Sequence, residues 1–331
     1  MTKKRLDDLL ARMPPRLARK YREIVERVRS KWVLAELEQA VEVEAGALDA
    51  VVNDMATSAS AVTATAAGIH NAVGAEVAEY LSARLDQLVA YDVANPRAVQ
   101  LLQMNRLRLI QAISDDQRDA IAEILRLGNE RGLNPRAMAV DIREVIGLDP
   151  YRARIVANYR RALEGGDLHA LSYKLRDARS DKAIRAAFEA GKGLPKERID
   201  KLVDRYAQRQ LASRAEAIAR TEALRAVHGG QHEAWEQAID DGKLDAARIQ
   251  QEWHAGSAPR TRPHHRSMKG QKRRWGESFR SGQGNALRYP CDPEAPASEC
   301  INCRCARTIR ILPAGQAPIG EAEERAALSN V

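Results

Sequence analysis

Ile249-Gln250-Gln251-Glu252-Trp253-His254-Ala255 is the stretch at which this chain stops reading as helix. Ile249, Gln251, Trp253 and Ala255 alternate onto one face, which is the period of a strand. Ile309 and Ile311 repeat the alternation, with Thr308 and Arg310 opposite, so two short strands are expected to pair across the residues between them. Everything upstream has helical spacing instead. The expected fold is mainly α: long helical N-terminal and middle regions, then a small α+β module at the C-terminal end that is basic and cysteine-bearing.

Composition agrees with that class. Hydrophobic residues make up 44% of the 331 residues but aromatics only 4%, so cores of Ala, Leu, Ile and Val on closely packed helices are expected rather than an aromatic-rich sandwich. No uninterrupted apolar run reaches the roughly 18 residues of a membrane span. The N-terminus, Met1-Thr2-Lys3-Lys4-Arg5, lacks the apolar stretch of a signal peptide, and folding in a reducing cytoplasm is expected. Disulfides are then not expected, and clustered cysteines point towards metal.

Punctuation within the helical part suggests its elements. Met13-Pro14-Pro15 is expected to start a helix from Arg16 to about Val43, and a second helical stretch spans Ala59 to Val89. Asn95 precedes Pro96 and is pushed out of the α region. Ser114-Asp115-Asp116-Gln117 resembles a cap ahead of Ile121, Ile124 and Leu125, and Asn134-Pro135 and Asp149-Pro150 each set a cap residue before a first-turn proline. Gly165 to Lys196 is expected to be a hinge. Helix resumes at Pro195 and stops at Asp240-Asp241-Gly242. The resulting boundaries are 1–112, 113–208, 209–312 and a loose tail at 313–331.

Three constellations carry candidate chemistry. All four cysteines lie after residue 290, near His254, His264 and His265. Zinc takes Cys and His ligands in a tetrahedron, with His265, Cys303 and Cys305 as the first candidates and Cys291 and Cys300 as possible additions. The alternative is that Cys303 and Cys305 are small buried side chains at a strand start. Secondly, residues 251–310 hold twelve Lys/Arg against five Asp/Glu, nearly the whole formal charge of +8. Arg266, Lys269, Lys272, Arg273 and Arg274 are candidate phosphate contacts on double-stranded DNA. Thirdly, Glu222 shares a helical face with Ile218 and Ala219, and such a buried acid needs a partner, expected to be Arg260 or Arg262 in a structural ion pair.

Taken in order, Ile218-Ala219-Arg220-Thr221-Glu222, Trp253, Arg260-Thr261-Arg262-x-x-His265-x-x-Met268-x-Gly270-Gln271, Tyr289-Pro290-x-Asp292-Pro293 and Ile301-Asn302-Cys303-Arg304-Cys305 resemble the phage Mu F-like head morphogenesis family. The resemblance covers about residues 209 to 310, and less specifically Asp92 to Pro96 and Val156 to Arg161. Ala258-Pro259 stand where an acid often precedes the Arg-Thr-Arg motif, and Cys291 and Cys300 stand where other residues are expected. The resemblance implies a non-enzymatic minor capsid protein in the phage head, at the portal vertex or interior, assembled in the bacterial cytoplasm. Its implied partners are the portal protein, major capsid or scaffold proteins and packaged DNA, with an oligomeric arrangement and no membrane. A metal-dependent nuclease using His264 or His265, with Asp292 as a further ligand, is the alternative from another class.

Overall fold

The structure, a computed structural model, describes residues 3–43, 45–256, 259 and 261–323. The long helices are α1 (Lys3–Lys31), α2 (Leu34–Val43), α3 (Asp49–Leu85), α4 (Pro96–Glu130), α5 (Pro135–Val145), α6 (Pro150–Glu164), α7 (Asp181–Glu189) and α8 (Lys196–Asp240). Strand β1 (Ile249–His254) then opens the C-terminal part, followed by the single turn α9 (Pro263–Arg266), β2 (Lys272–Arg274), β3 (Phe279–Arg280), β4 (Ala286–Leu287), the turn α10 (Ala297–Cys300) and β5 (Ala306–Ile311). The mainly α class with a small α+β end is as expected. None of the described helices is long and apolar enough to cross a membrane.

The chain forms two compact units that are discontinuous in sequence. Unit 1 takes residues 1–17, 64–105 and 216–331; unit 2 takes 18–63 and 106–215. The boundary expected at 208/209 therefore falls inside α8, and a cut there would separate 64–105 from the C-terminal residues it clusters with.

Helix boundaries depart from the local signals in several places: the helix expected from Arg16 to about Val43 is the two helices α1 and α2, and the stretch expected from Ala59 to Val89 runs from Asp49 to Leu85. Pro14 and Pro15 lie inside α1. A proline in a helix interior costs a hydrogen bond, but Leu6, Leu9 and Leu17 are all buried and continue one apolar stripe through it. Ser114-Asp115-Asp116 is mid-helix in α4, and Ser114 Oγ donates back to Ile110 O at 2.9 Å instead of capping. The caps that hold are Asn134, which accepts from Ala137 N at 2.9 Å, and Asp149, which accepts from Arg152 N at 2.9 Å. In each case the following proline sits where its missing N–H is not needed.

In unit 2, Arg160 on α6 lies at 2.9 Å from Asp141, 2.8 Å from Glu144 and 2.6 Å from Asp200. Tyr159, Tyr173 and Tyr206 pack together in tilted and edge-to-face pairs, with ring centroids 4.6 to 6.1 Å apart. Asp177 is buried and meets Arg179, Arg205 and Arg209. Its hydrogen bonds from Arg179 hold its carboxyl well below the usual carboxylate range.

In unit 1 the second half of α8 is buried on every side from Thr221 to Gln231. It is a central helix. Gly229 and Gly230 let α3 approach closely: a Cβ at Gly230 would stand 2.2 Å from the His70 carbonyl oxygen. The Asp92 turn is fastened to the same helix, since Asp92 N donates to Gln237 Oε1 at 2.8 Å while Gln237 Nε2 returns a bond to Asp92 O at 3.1 Å. Arg97 then bridges Glu233 and Asp240, each at 2.9 Å.

Candidate functional site

The C-terminal sheet has the order β2-β1-β5 and is antiparallel throughout. Ile249 pairs with Ile311, Gln251 with Ile309 and Trp253 with Arg307, so the expected pairing of the two alternating segments is present. The third strand, β2, was not apparent from the sequence: Lys272-Arg273-Arg274 is too charged to resemble a strand. Its middle residue turns inward. Arg273 is 2% exposed, with its guanidinium on Ser278 O, Lys272 O and Gln271 Oε1 and over the Phe279 ring.

That position corrects the expected DNA face. Arg273 is inaccessible to phosphate, and Arg274 is drawn to Glu323 and the Pro318 carbonyl. Arg266, at the end of α9, and Lys269 remain exposed. The residues after Leu312 are also less loose than expected, up to Glu323: the Gln250 side chain accepts from Ile319 N at 2.7 Å and donates to Ile319 O at 2.9 Å. The remainder of the expected tail, 324–331, lies outside the described residues.

The acid on α8 is buried as expected, but with another partner. Glu222 accepts from Arg225, one turn further along the same helix, and both are under 10% exposed. Residues three apart on a helix already face each other, so no cation from a distant loop is required. Arg262 donates to Ile301 O instead. Arg260 lies outside the described residues.

A buried arginine is the main feature that sequence reading missed. Arg307 on β5 is fully buried, its guanidinium 5.1 Å from the Tyr289 ring centroid and 5.8 Å from that of Trp275, donating to Gln251 Oε1 at 2.9 Å. Burial pulls its pKa down to about 9. The signal was present, because Arg307 alternates onto the same face as Ile309 and Ile311. Burial and the Arg307 charge together push His228 down to about 3, so it sits neutral beside this cation.

The hydrophobic core of the module consists of Leu224, Trp253, Met268, Phe279, Leu287, Ala295 and all four cysteines. The cysteines divide into two pairs. Cys291 donates to Cys300 O at 3.3 Å and Cys300 to Asp292 O at 3.5 Å, so these two thiols are spent on carbonyls. Cys303 and Cys305 instead converge on His265: each Sγ lies 3.5 Å from its Nδ1. The far ring nitrogen, Nε2, meets Glu299 Oε2 at 2.5 Å, and Glu299 Oε1 accepts from Ser281 Oγ at 2.8 Å and Asn285 Nδ2 at 2.6 Å. Glu299 was not foreseen, since nothing in Ala297-Ser298-Glu299-Cys300 marks it as inward-facing.

Electrostatics separates the two sulfurs. The hydrogen bond with Cys303, opposed by burial and helped by His265, holds Cys305 down to about 5, whereas the same bond and burial push Cys303 up. Burial works against the charged form of His265, but the hydrogen bonds to Cys305 and Glu299 raise its pKa overall. His254, by contrast, is on β1 and pairs with Thr308 Oγ1 at 2.8 Å. Asp292 is taken by Arg288, with N···O distances of 2.9 and 2.7 Å.

The class defined by these features is a helix-rich protein whose last long helix is the centre of a unit closed by a small antiparallel sheet with a buried His-Cys-Cys core. Residues 178–308 match the family described as Phage Mu protein F like protein, and this segment of the chain is Mu F-like. The matched segment is under half of the chain and includes every motif on which the resemblance rested except the Asp92 and Val156 segments. The likeness that this match shows is that of residues 178–308 to a phage protein family. Neither the curated proteins nor the solved structures contain a match to the chain.

Proposed function

We propose that the chain is a minor head protein of a tailed phage or prophage, present in few copies near the portal vertex and the head interior, where it assists head morphogenesis and DNA packaging or ejection. The observation that carries this reading is the Mu F-like match over residues 178–308. The motif residues within it do structural work: Trp253 and Met268 are core, Thr221 Oγ1 accepts from Asn302 N at 2.9 Å, and Asp292 fixes the Arg288 turn. In this reading the helical surfaces contact portal, capsid or scaffold proteins, and Arg266 and Lys269 touch the phosphates of double-stranded DNA.

The DNA-binding face has a direct test. Arg266→Ala with Lys269→Ala is expected to weaken duplex binding and to reduce the slope of log affinity against log salt by about 1.8, or roughly 0.9 for each phosphate no longer neutralised. Both side chains are exposed, so the fold should be retained. An unchanged slope would remove DNA from this face. The virion assignment is tested separately, through the composition of purified heads.

A further inference from the structure

We propose that His265 Nδ1, Cys303 Sγ and Cys305 Sγ form a zinc site, with Glu299 as the outer partner that orients the imidazole and water in the simplest case as the fourth ligand. All three ligand atoms lie within 4.8 Å of one another and all three residues are buried. A tetrahedral zinc with Zn–S near 2.3 Å and Zn–N near 2.0–2.1 Å sets sulfur and nitrogen roughly 3.5 Å apart. Both Sγ···Nδ1 separations are 3.5 Å. Two edges of the tetrahedron are therefore already in place.

The surroundings have the form that metal-binding histidines usually have. Such a histidine donates its other ring N–H to a carboxylate, which leaves the ligating nitrogen with its lone pair towards the ion. Glu299 serves Nε2 in this way, and is itself fixed by Ser281 and Asn285. The Cys305 backbone N–H points at Cys303 Sγ at 3.4 Å, a donor suited to a thiolate. Without an ion, the two sulfurs and Nδ1 serve as partners to one another, Cys303 to Cys305 and both to His265. With one, each is a ligand to it instead, and zinc binding would release the thiol protons. The ion would also tie β5 to the α9 turn, in a module whose sheet is small and whose connections are long.

The test uses the full-length protein purified without chelator, with metal content measured directly and cobalt(II) exchanged for zinc. About one zinc per chain is expected, together with the near-ultraviolet thiolate-to-cobalt charge-transfer band. Cys303→Ser with Cys305→Ser should lower zinc content at least tenfold, whereas Cys300→Ala should keep it. Glu299→Gln should weaken zinc affinity about 10- to 100-fold, a readout that remains if the double variant does not fold. Folded wild-type protein that takes up less than half an equivalent of zinc after incubation with it, and shows no thiolate band with cobalt, would overturn the proposal. So would zinc that the folded double variant retains.

Discussion

Arg160→Ala is expected to cost unit 2 about 3–5 kcal/mol, because it strands Asp141 and Glu144 without their cation in a site where Arg160 itself is 6% exposed. For a unit of this size that corresponds to a melting transition lowered by roughly ten degrees. The deficit should depend on pH. Burial already pushes Glu144 up to about 8 against the pull of Arg160, and without the guanidinium nothing comparable opposes that push. A carboxyl whose folded pKa lies above its unfolded value stabilises most below the unfolded pKa and loses that contribution as pH rises through the folded one. The Glu144 contribution to the variant's deficit should therefore be flat up to about pH 8, where the carboxyl is protonated in both folded proteins, and grow above it, where the wild-type group ionises beside Arg160 and the variant's does not. A deficit that does not grow above pH 8 would show that the Glu144 carboxylate is not what Arg160 holds.

Gly230→Ala should be of similar severity in unit 1. The added Cβ would stand 2.2 Å from the His70 carbonyl oxygen and 3.0 Å from its carbon. Those are backbone atoms, so α3 and α8 would have to separate rather than a side chain rotate, and a cost of about 3 kcal/mol or more is expected. Gly68→Ala on the same helix as His70 is the control, since nothing lies within 4 Å of its Cβ. It should stabilise by about 0.5–1 kcal/mol, through helix propensity alone. Thermal melts of both variants check the pair, and equal effects would contradict the close helix approach.

The elements that were legible in the sequence are those set by short-range chemistry. The Asn134 and Asp149 caps, the stop at Gly242 with its φ of 68°, and the pairing of β1 with β5 all follow from a few adjacent residues. Elements governed by distant packing were not. The prolines of α1 and Ser114 of α4 carry stop or start signals that an apolar stripe overrides. Arg273 looks like a surface charge until the strand that turns it inward is known, whereas the inward place of Arg307 follows from its alternation with Ile309 and Ile311. At the candidate site, residue type alone selected His265, Cys303 and Cys305, which the fold brings together. Cys291 and Cys300 remained as possible additions, and residue type gave no indication of Glu299.

The most direct measurement for the account as a whole is quantitative mass spectrometry of purified DNA-filled heads from the phage or induced prophage that encodes this chain. The protein is expected in the heads, in far fewer copies than the major capsid protein and recovered together with the portal. Its absence from heads, with recovery only in the host nucleoid fraction, would contradict the head assignment.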